Sequence, residues 1–201
     1  MTEFYFVRHG ETFANAQGLL QGTSDDEITF LDGAGKQQAR QLRESFDLSI
    51  ADRFIISPLN RTQQTAEILN VELQLPLSFD DRLKEISYGA WDGLSKNELQ
   101  TQYPDAFEPE YNDLVPDYEK IARGGESFNK VIERVGDFLA DASEKYPDEK
   151  IVVVTHGFTI KAAVINVLNL KDPQIIPEPE NLRLTLIRIE GQRAYLDYFN
   201  R

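Results

Sequence analysis

The chain has 201 residues, 41% of them hydrophobic, and its 34 acidic against 21 basic side chains give a formal charge of −13. That length suits one domain with a sizeable core, and the charge repels nucleic acid and anionic membrane surfaces, so any anionic ligand needs a local basic pocket. There is no cysteine for a disulfide or thiolate metal site, no apolar run near the ~20 residues that span a bilayer, and no leader-like opening; the expectation is a cytoplasmic protein without nucleic-acid or membrane partners.

In chain order, "EFYFV" is a strand pattern that runs into "RHGET". "LDGAGKQQARQLRESF" reads as a helix with Asp32 as its N-cap. "RFIIS" is a second strand, followed by the helical pattern "PLNRTQQTAEILN". From about 92 to 123, Pro104, Pro109 and Pro116 break any long helix, which predicts an insertion of short helices and loops. Phe128, Val131, Ile132, Val135, Phe138, Leu139 and Ala142 recur at three- and four-residue spacing, so a long amphipathic helix starts after Gly124 and Gly125. "KIVVVT" is a third strand, entering "HGFTIKAAVINVLNL". The alternation on both sides of Glu190 and Gly191 predicts a closing hairpin. Strand followed by helix, repeated, argues for an α/β fold: a three-layer, mostly parallel central sheet flanked by helices, with a C-terminal β-hairpin, in one domain over 1–201.

The chemistry gathers at the strand ends. The chain has two histidines, His9 and His156, and each ends a predicted strand and precedes a glycine, Gly10 or Gly157. In open α/β sheets that edge is where ligands bind, so the imidazoles can converge. Arg8 and Arg61 lie at the same kind of junction. Two guanidiniums and two imidazoles on one edge of an acidic protein suit a tetrahedral oxyanion, because the arginine fork donates paired hydrogen bonds to phosphate. Helices starting near Pro58 and Phe158 are expected to add their positive N-terminal ends.

"VRHGET" with Asn15, "SPLNRTQQTA", "LKEISYGAWDG", "GGES" and "VVVTHG" occur in the order found in the histidine phosphatase superfamily, the phosphoglycerate-mutase-like proteins, which the chain resembles over nearly its whole length. The resemblance implies that His9 is the nucleophile that takes the phosphoryl group and that Arg8, Arg61 and His156 cradle it. It implies that Glu85 is the general acid and later the base for water. Asn15, the backbone near Gln21 and Gly22, and Gly157 would make secondary contacts. The loop "QGTSDDEITFLDGAG" is longer than the family's usual spacing, which bears on Gln21 and Gly22.

The chemistry is consistent with this. A histidine with a pKa of about 6.5 is largely neutral at pH 7 and can attack phosphorus without prior deprotonation. Nearby guanidiniums keep it neutral and offset charge in the transition state. No metal or cofactor is needed, and carboxylates, the remaining possible ligands, would repel the phosphate. The expected activity is hydrolysis of a small phosphomonoester. The alternatives are a cofactor-dependent phosphoglycerate mutase, a non-catalytic module binding phosphorylated ligands, and a metal-dependent hydrolase.

Some side chains admit two readings. Trp91 reads as packing beside the site. Glu126 and Ser127 either cap the long helix or reach the pocket. The stretch from Asp92 to Arg123 holds eight acids against Lys96, Lys120 and Arg123. Tyr103, Phe107, Tyr111 and Tyr118 among them either form an aromatic, acidic wall that favours aryl esters over bisphosphates, or pin the insertion to the body.

Overall fold

Successive side chains of "FYFV" point to opposite faces of a sheet, and each face finds its own apolar layer. A computed structural model describes residues 1–201. The strands are β1 (Thr2–Arg8), β2 (Arg53–Ile56), β3 (Leu77–Phe79), β4 (Lys150–Thr155), β5 (Leu184–Glu190) and β6 (Arg193–Tyr198). The helices are α1 (Phe13–Ala16), α2 (Gly33–Ser45), α3 (Asn60–Asn70), α4 (Lys96–Gln102), α5 (Phe128–Lys145) and α6 (Gly157–Leu168).

The sheet runs β3-β2-β4-β1-β5-β6. Pairs β1–β4, β2–β4 and β2–β3 are parallel, whereas β5 is antiparallel to both β1 and β6, closing the sheet as the expected hairpin. Phe4, Phe6, Ile55, Ile151 and Val153 face α5 and α6. Tyr5, Val7, Phe54, Ile56, Val152 and Val154 face α2 and α3. Each fully buried large apolar side chain contributes about 1.5–3 kcal/mol. Phe4 and Phe138 of α5 meet edge to face at 6.1 Å.

Asp32 caps α2, accepting from the Gly35 amide at 2.8 Å, and Ser127 caps α5 through the Lys130 amide. β3 is a strand the sequence pattern does not reveal. It has three residues, follows Pro76, and leaves Phe79 56% exposed at the sheet edge, so no alternation can mark it. The 92–123 segment forms α4 with short 3-10 turns, as the prolines require.

The first turn of α2 docks against the turn that follows His9. An ideal Cβ on Gly35 would lie 2.0 Å from the Glu11 carbonyl oxygen, a backbone atom that cannot swing away. Gly35→Ala is therefore expected to cost about 1–3 kcal/mol, lowering Tm by roughly 2–12 °C for a chain of this size. Gly33→Ala, with no atom within 4 Å of the added methyl, is expected to leave Tm unchanged or slightly raised. Thermal melts of the two variants decide this.

Candidate active site

The β1–β4 register sets Arg8 opposite Thr155 and therefore His9 beside His156. The two rings lie edge to face with centroids 5.3 Å apart. β2 delivers Ser57 to the same edge through the Ser57 amide and the Val154 carbonyl, and α3 then presents Arg61 one turn later. Residues from the opposite ends of the chain thus meet at one sheet edge.

The hydrogen bonds fix how the imidazoles are protonated. His9 Nδ1 lies 2.8 Å from the Gly10 carbonyl oxygen, which can only accept. Nδ1 therefore carries the proton, and Nε2 keeps its lone pair. Burial, then Arg61 and Arg8, hold the His9 pKa well below its ordinary value, so the ring is neutral at pH 7. The sequence attributed this neutrality to the guanidiniums; in the structure burial is the larger cause. His156 Nδ1 accepts from Arg61 Nε at 3.2 Å, so its Nε2–H donates to Ser57 Oγ at 2.7 Å. Burial and Arg61 lower its pKa as well.

Arg61 is fully buried. Its remaining fork donates to the carbonyls of Gly22 at 2.7 Å and Ser24 at 3.0 Å. Burial lowers its pKa to about 10, which leaves it charged at neutral pH. Gly22 can hold its carbonyl there because its φ is +51° and a Cβ would lie 1.7 Å from Asp92 Oδ1. Arg8 Nη1 donates to the Pro179 carbonyl, while its buried Nε has no partner. A buried donor left unsatisfied is costly, and an anionic oxygen is its natural acceptor.

A cavity of about 180 Å³ opens over these groups, lined by Arg8, His9, Asn15, Gln21, Gly22, Arg61 and Glu85. Asn15 Oδ1 accepts from the Thr12 amide and Gln21 Oε1 from the Thr12 hydroxyl, leaving both NH₂ groups free to donate to an anion. Glu85 is buried, and its carboxylate receives the Phe158 and Thr159 amides at 3.4 and 3.3 Å. His156 and Gly157 lie behind this lining, where His156 supports Arg61.

The helix N-termini differ from expectation. The first amides of α6 point at Glu85, and the Asn60 amide at the start of α3 donates to Asp25 Oδ1 at 2.7 Å. Both positive ends are capped by carboxylates, so the charge offered to an anion comes from the arginines. The aromatic-wall reading is also corrected. Tyr103 and Phe107 stack on Trp91 at 5.3 and 6.5 Å, and Tyr118 packs on the same indole. With Trp91 they pin the insertion to the body, because burying these rings outweighs presenting them to a pocket. Tyr111 is 41% exposed and stands outside the lining. Ser127 caps α5, and Glu126 pairs with Arg134.

What the insertion contributes instead is Lys96, Asp113 and Leu114, which line the cavity with Lys161 and Glu178. Asp113 sits between the two lysines, 3.6 Å from Lys96 Nζ and 3.4 Å from Lys161 Nζ. Lys161 is a residue the sequence could have flagged, since a lysine inside the apolar run of α6 must be buried against a partner. Ser57 carried a weaker signal at a strand end. Asp113 and Glu178, each one of several acids in its loop, carried none.

A profile of the Histidine phosphatase superfamily (branch 1) matches residues 4–201. The chain is 33% identical over 175 residues to an uncharacterized phosphatase, PhoE, of Bacillus subtilis, covering 87% of this chain and 81% of that protein. It is 32% identical over 172 residues to a probable phosphoglycerate mutase, GpmB, of Salmonella paratyphi A, covering 85% and 76%. A mycobacterial glucosyl-3-phosphoglycerate phosphatase, solved with VO3, superposes with a TM-score of 0.84 at 26% identity over 98% of each chain.

Proposed function

The chain belongs to the histidine phosphatase superfamily and is a phosphoric monoester hydrolase; from that premise we propose that it hydrolyses a small phosphorylated metabolite in the cytoplasm through a phosphohistidine on His9. The observation that carries this is the His9 tautomer, with Nδ1 tied to the Gly10 carbonyl and a neutral, unprotonated Nε2. Nε2 attacks phosphorus as the ester P–O bond breaks, and Glu85 gives its proton to the departing oxygen. Arg8, Arg61 and the amides of Asn15 and Gln21 hold the non-bridging oxygens where charge spreads. Water then attacks the phosphohistidine, Glu85 takes its proton, the P–N bond breaks, and phosphate leaves. The reading treats 1–201 as one domain, in keeping with the continuous match over 4–201.

The test is a panel of glycerol 3-phosphate, 3-phosphoglycerate, phosphoserine and p-nitrophenyl phosphate, with and without chelator and with 2,3-bisphosphoglycerate as primer. Release of inorganic phosphate, unaffected by chelator, is expected. Interconversion of phosphoglycerates faster than phosphate release would move the mutase reading to first place. The cavity is smaller than the roughly 300–1,000 Å³ usual for ligand pockets, and much of its lining is charged. No selective gain for bulky aryl esters is therefore expected beyond their better leaving group.

Glu178 gives the reaction a pH dependence. Burial, then repulsion by Asp113 and Glu85, raise its pKa to about 7, against the pull of Arg8 and Lys161. Its carboxylate lies 3.9 Å from Arg8 Nη1. Below pH 7 the neutral acid leaves Arg8 to the phosphate; above it the anion competes and repels. Wild-type kcat/KM is expected to fall as pH rises through about 7, and Glu178→Gln is expected to remove that limb. Because the folded pKa lies above the unfolded value, the ionised carboxylate costs stability progressively from about pH 4.5 to 7. Glu178→Gln should thus melt higher than wild type at pH 8 and alike at pH 4. Parallel pH profiles in the two proteins would remove Glu178 from this role.

A further inference from the structure

We propose that Arg134, which does not line the cavity, is the positioning residue that sets Glu85 for proton transfer, with Glu126 holding Arg134 for the task. The proposal rests on the reading of Glu85 as the acid and base.

A guanidinium has five N–H donors in a fixed plane, and Arg134 makes five hydrogen bonds. Nη1 donates to the carbonyls of Arg82 at 2.5 Å and Lys84 at 2.8 Å, and Nη2 donates to the carbonyl of Glu85 itself at 3.3 Å. Nε and Nη2 pair with the two oxygens of Glu126 at 3.0 and 3.1 Å. Three carbonyls of the short segment that carries the acid are thus gathered by one planar group from α5. The other side of the segment is tied to β4 and α6: Thr155 Oγ1 donates to the Leu83 carbonyl at 2.7 Å, and Thr159 Oγ1 to the Lys84 carbonyl at 2.9 Å.

Glu126 is itself fixed. Its amide donates to the Ser87 carbonyl at 2.7 Å, and the single Tyr118 O–H lies within donating distance of the Ser87 and Glu126 carbonyls, at 2.9 and 2.8 Å. The segment from Arg82 to Ser87 is therefore clamped at both ends by the Glu126–Arg134 pair and its surroundings. With the Thr159 hydroxyl proton given to the Lys84 carbonyl, the protein donors to the Glu85 carboxylate are the Ile86, Phe158 and Thr159 amides, at 3.1–3.4 Å. These long bonds leave the carboxylate position to be set by its backbone. A misplacement of about 1 Å, even from a change remote from the chemistry, can cost on the order of 10²-fold in rate.

A residue that only stabilises the fold would lower activity on every substrate through the fraction folded. One that positions the acid lowers it where leaving-group protonation matters. The experiment measures the phosphorylation step of Arg134→Met and Arg134→Lys on glycerol 3-phosphate and, by the p-nitrophenol burst, on p-nitrophenyl phosphate, alongside Glu85→Gln. The expected result is a loss of about 10–100-fold on glycerol 3-phosphate, less than about threefold in the burst, and little change in KM. Lysine should rescue poorly, since an ammonium lacks the planar fork. If Arg134→Met does not fold, Glu126→Gln decides, with a smaller loss than at Arg134 expected on the alkyl ester only. Equal losses on both substrates, or none, overturn the positioning role. If Glu85→Gln shows the alkyl-selective loss while the Arg134 variants do not, this inference alone fails; if Glu85→Gln also loses both equally, the reading of Glu85 fails with it.

Discussion

His9→Ala is expected to release no phosphate above background, a loss on the order of 10⁴-fold or more, and to leave no covalent phosphate after brief incubation with labelled ester. Wild type should trap label that is lost in acid and kept in base, as a phosphorus–nitrogen bond requires. The effect is large because no other group can replace the ring. His156 lies against it, yet its Nδ1 accepts from Arg61 and its Nε2–H is spent on Ser57. The alanine also leaves Arg8 and Arg61 in place, so the variant should still bind inorganic phosphate with affinity near that of wild type. Full turnover in His9→Ala would end the phosphohistidine mechanism.

Glu85→Gln is expected to slow alkyl esters by about 10²–10⁴-fold, the usual contribution of general acid catalysis. The p-nitrophenol burst should persist, because that leaving group departs without a proton. After the burst, turnover should stall with phosphate on His9, since glutamine cannot take the proton from water. The substitution is nearly isosteric, and its amide oxygen can still accept from Phe158 and Thr159, so a Tm within a few degrees of wild type is expected. A burst reduced as much as alkyl turnover would remove Glu85 from the acid role.

Much of this was legible because it lay in local pattern. The apolar runs before His9, Ser57 and His156 placed three strand ends, and the shared His-Gly context predicted that the imidazoles converge, as the β1–β4 register confirms. The α5 stripe and the Asp32 cap were equally local. What escaped was set by tertiary contact. β3 is too short and exposed to carry a pattern. The helix N-termini looked available to an anion until Asp25 and Glu85, distant in sequence, proved to cap them. The insertion's aromatics read equally as a pocket wall or as pins to the body, and the stacking of Tyr103 and Phe107 on Trp91 decides for the second. Asp113 joins two lysines from α4 and α6, a contact that no spacing rule encodes.

The pairing of β1 with β4 also bears on how the protein is made. Among these strands β1 is made first, and the strand that completes its parallel side ends only at Thr155, about 150 residues later. Contacts so far apart in sequence form slowly, because a long loop must close before they reward it. Until then a nascent chain holds a histidine beside an arginine and no enclosing cradle, so the nucleophile stays silent throughout most of translation. Activity should switch on only once α6 has emerged, and a chain released after Asp148 should be inert even where its early helices have formed.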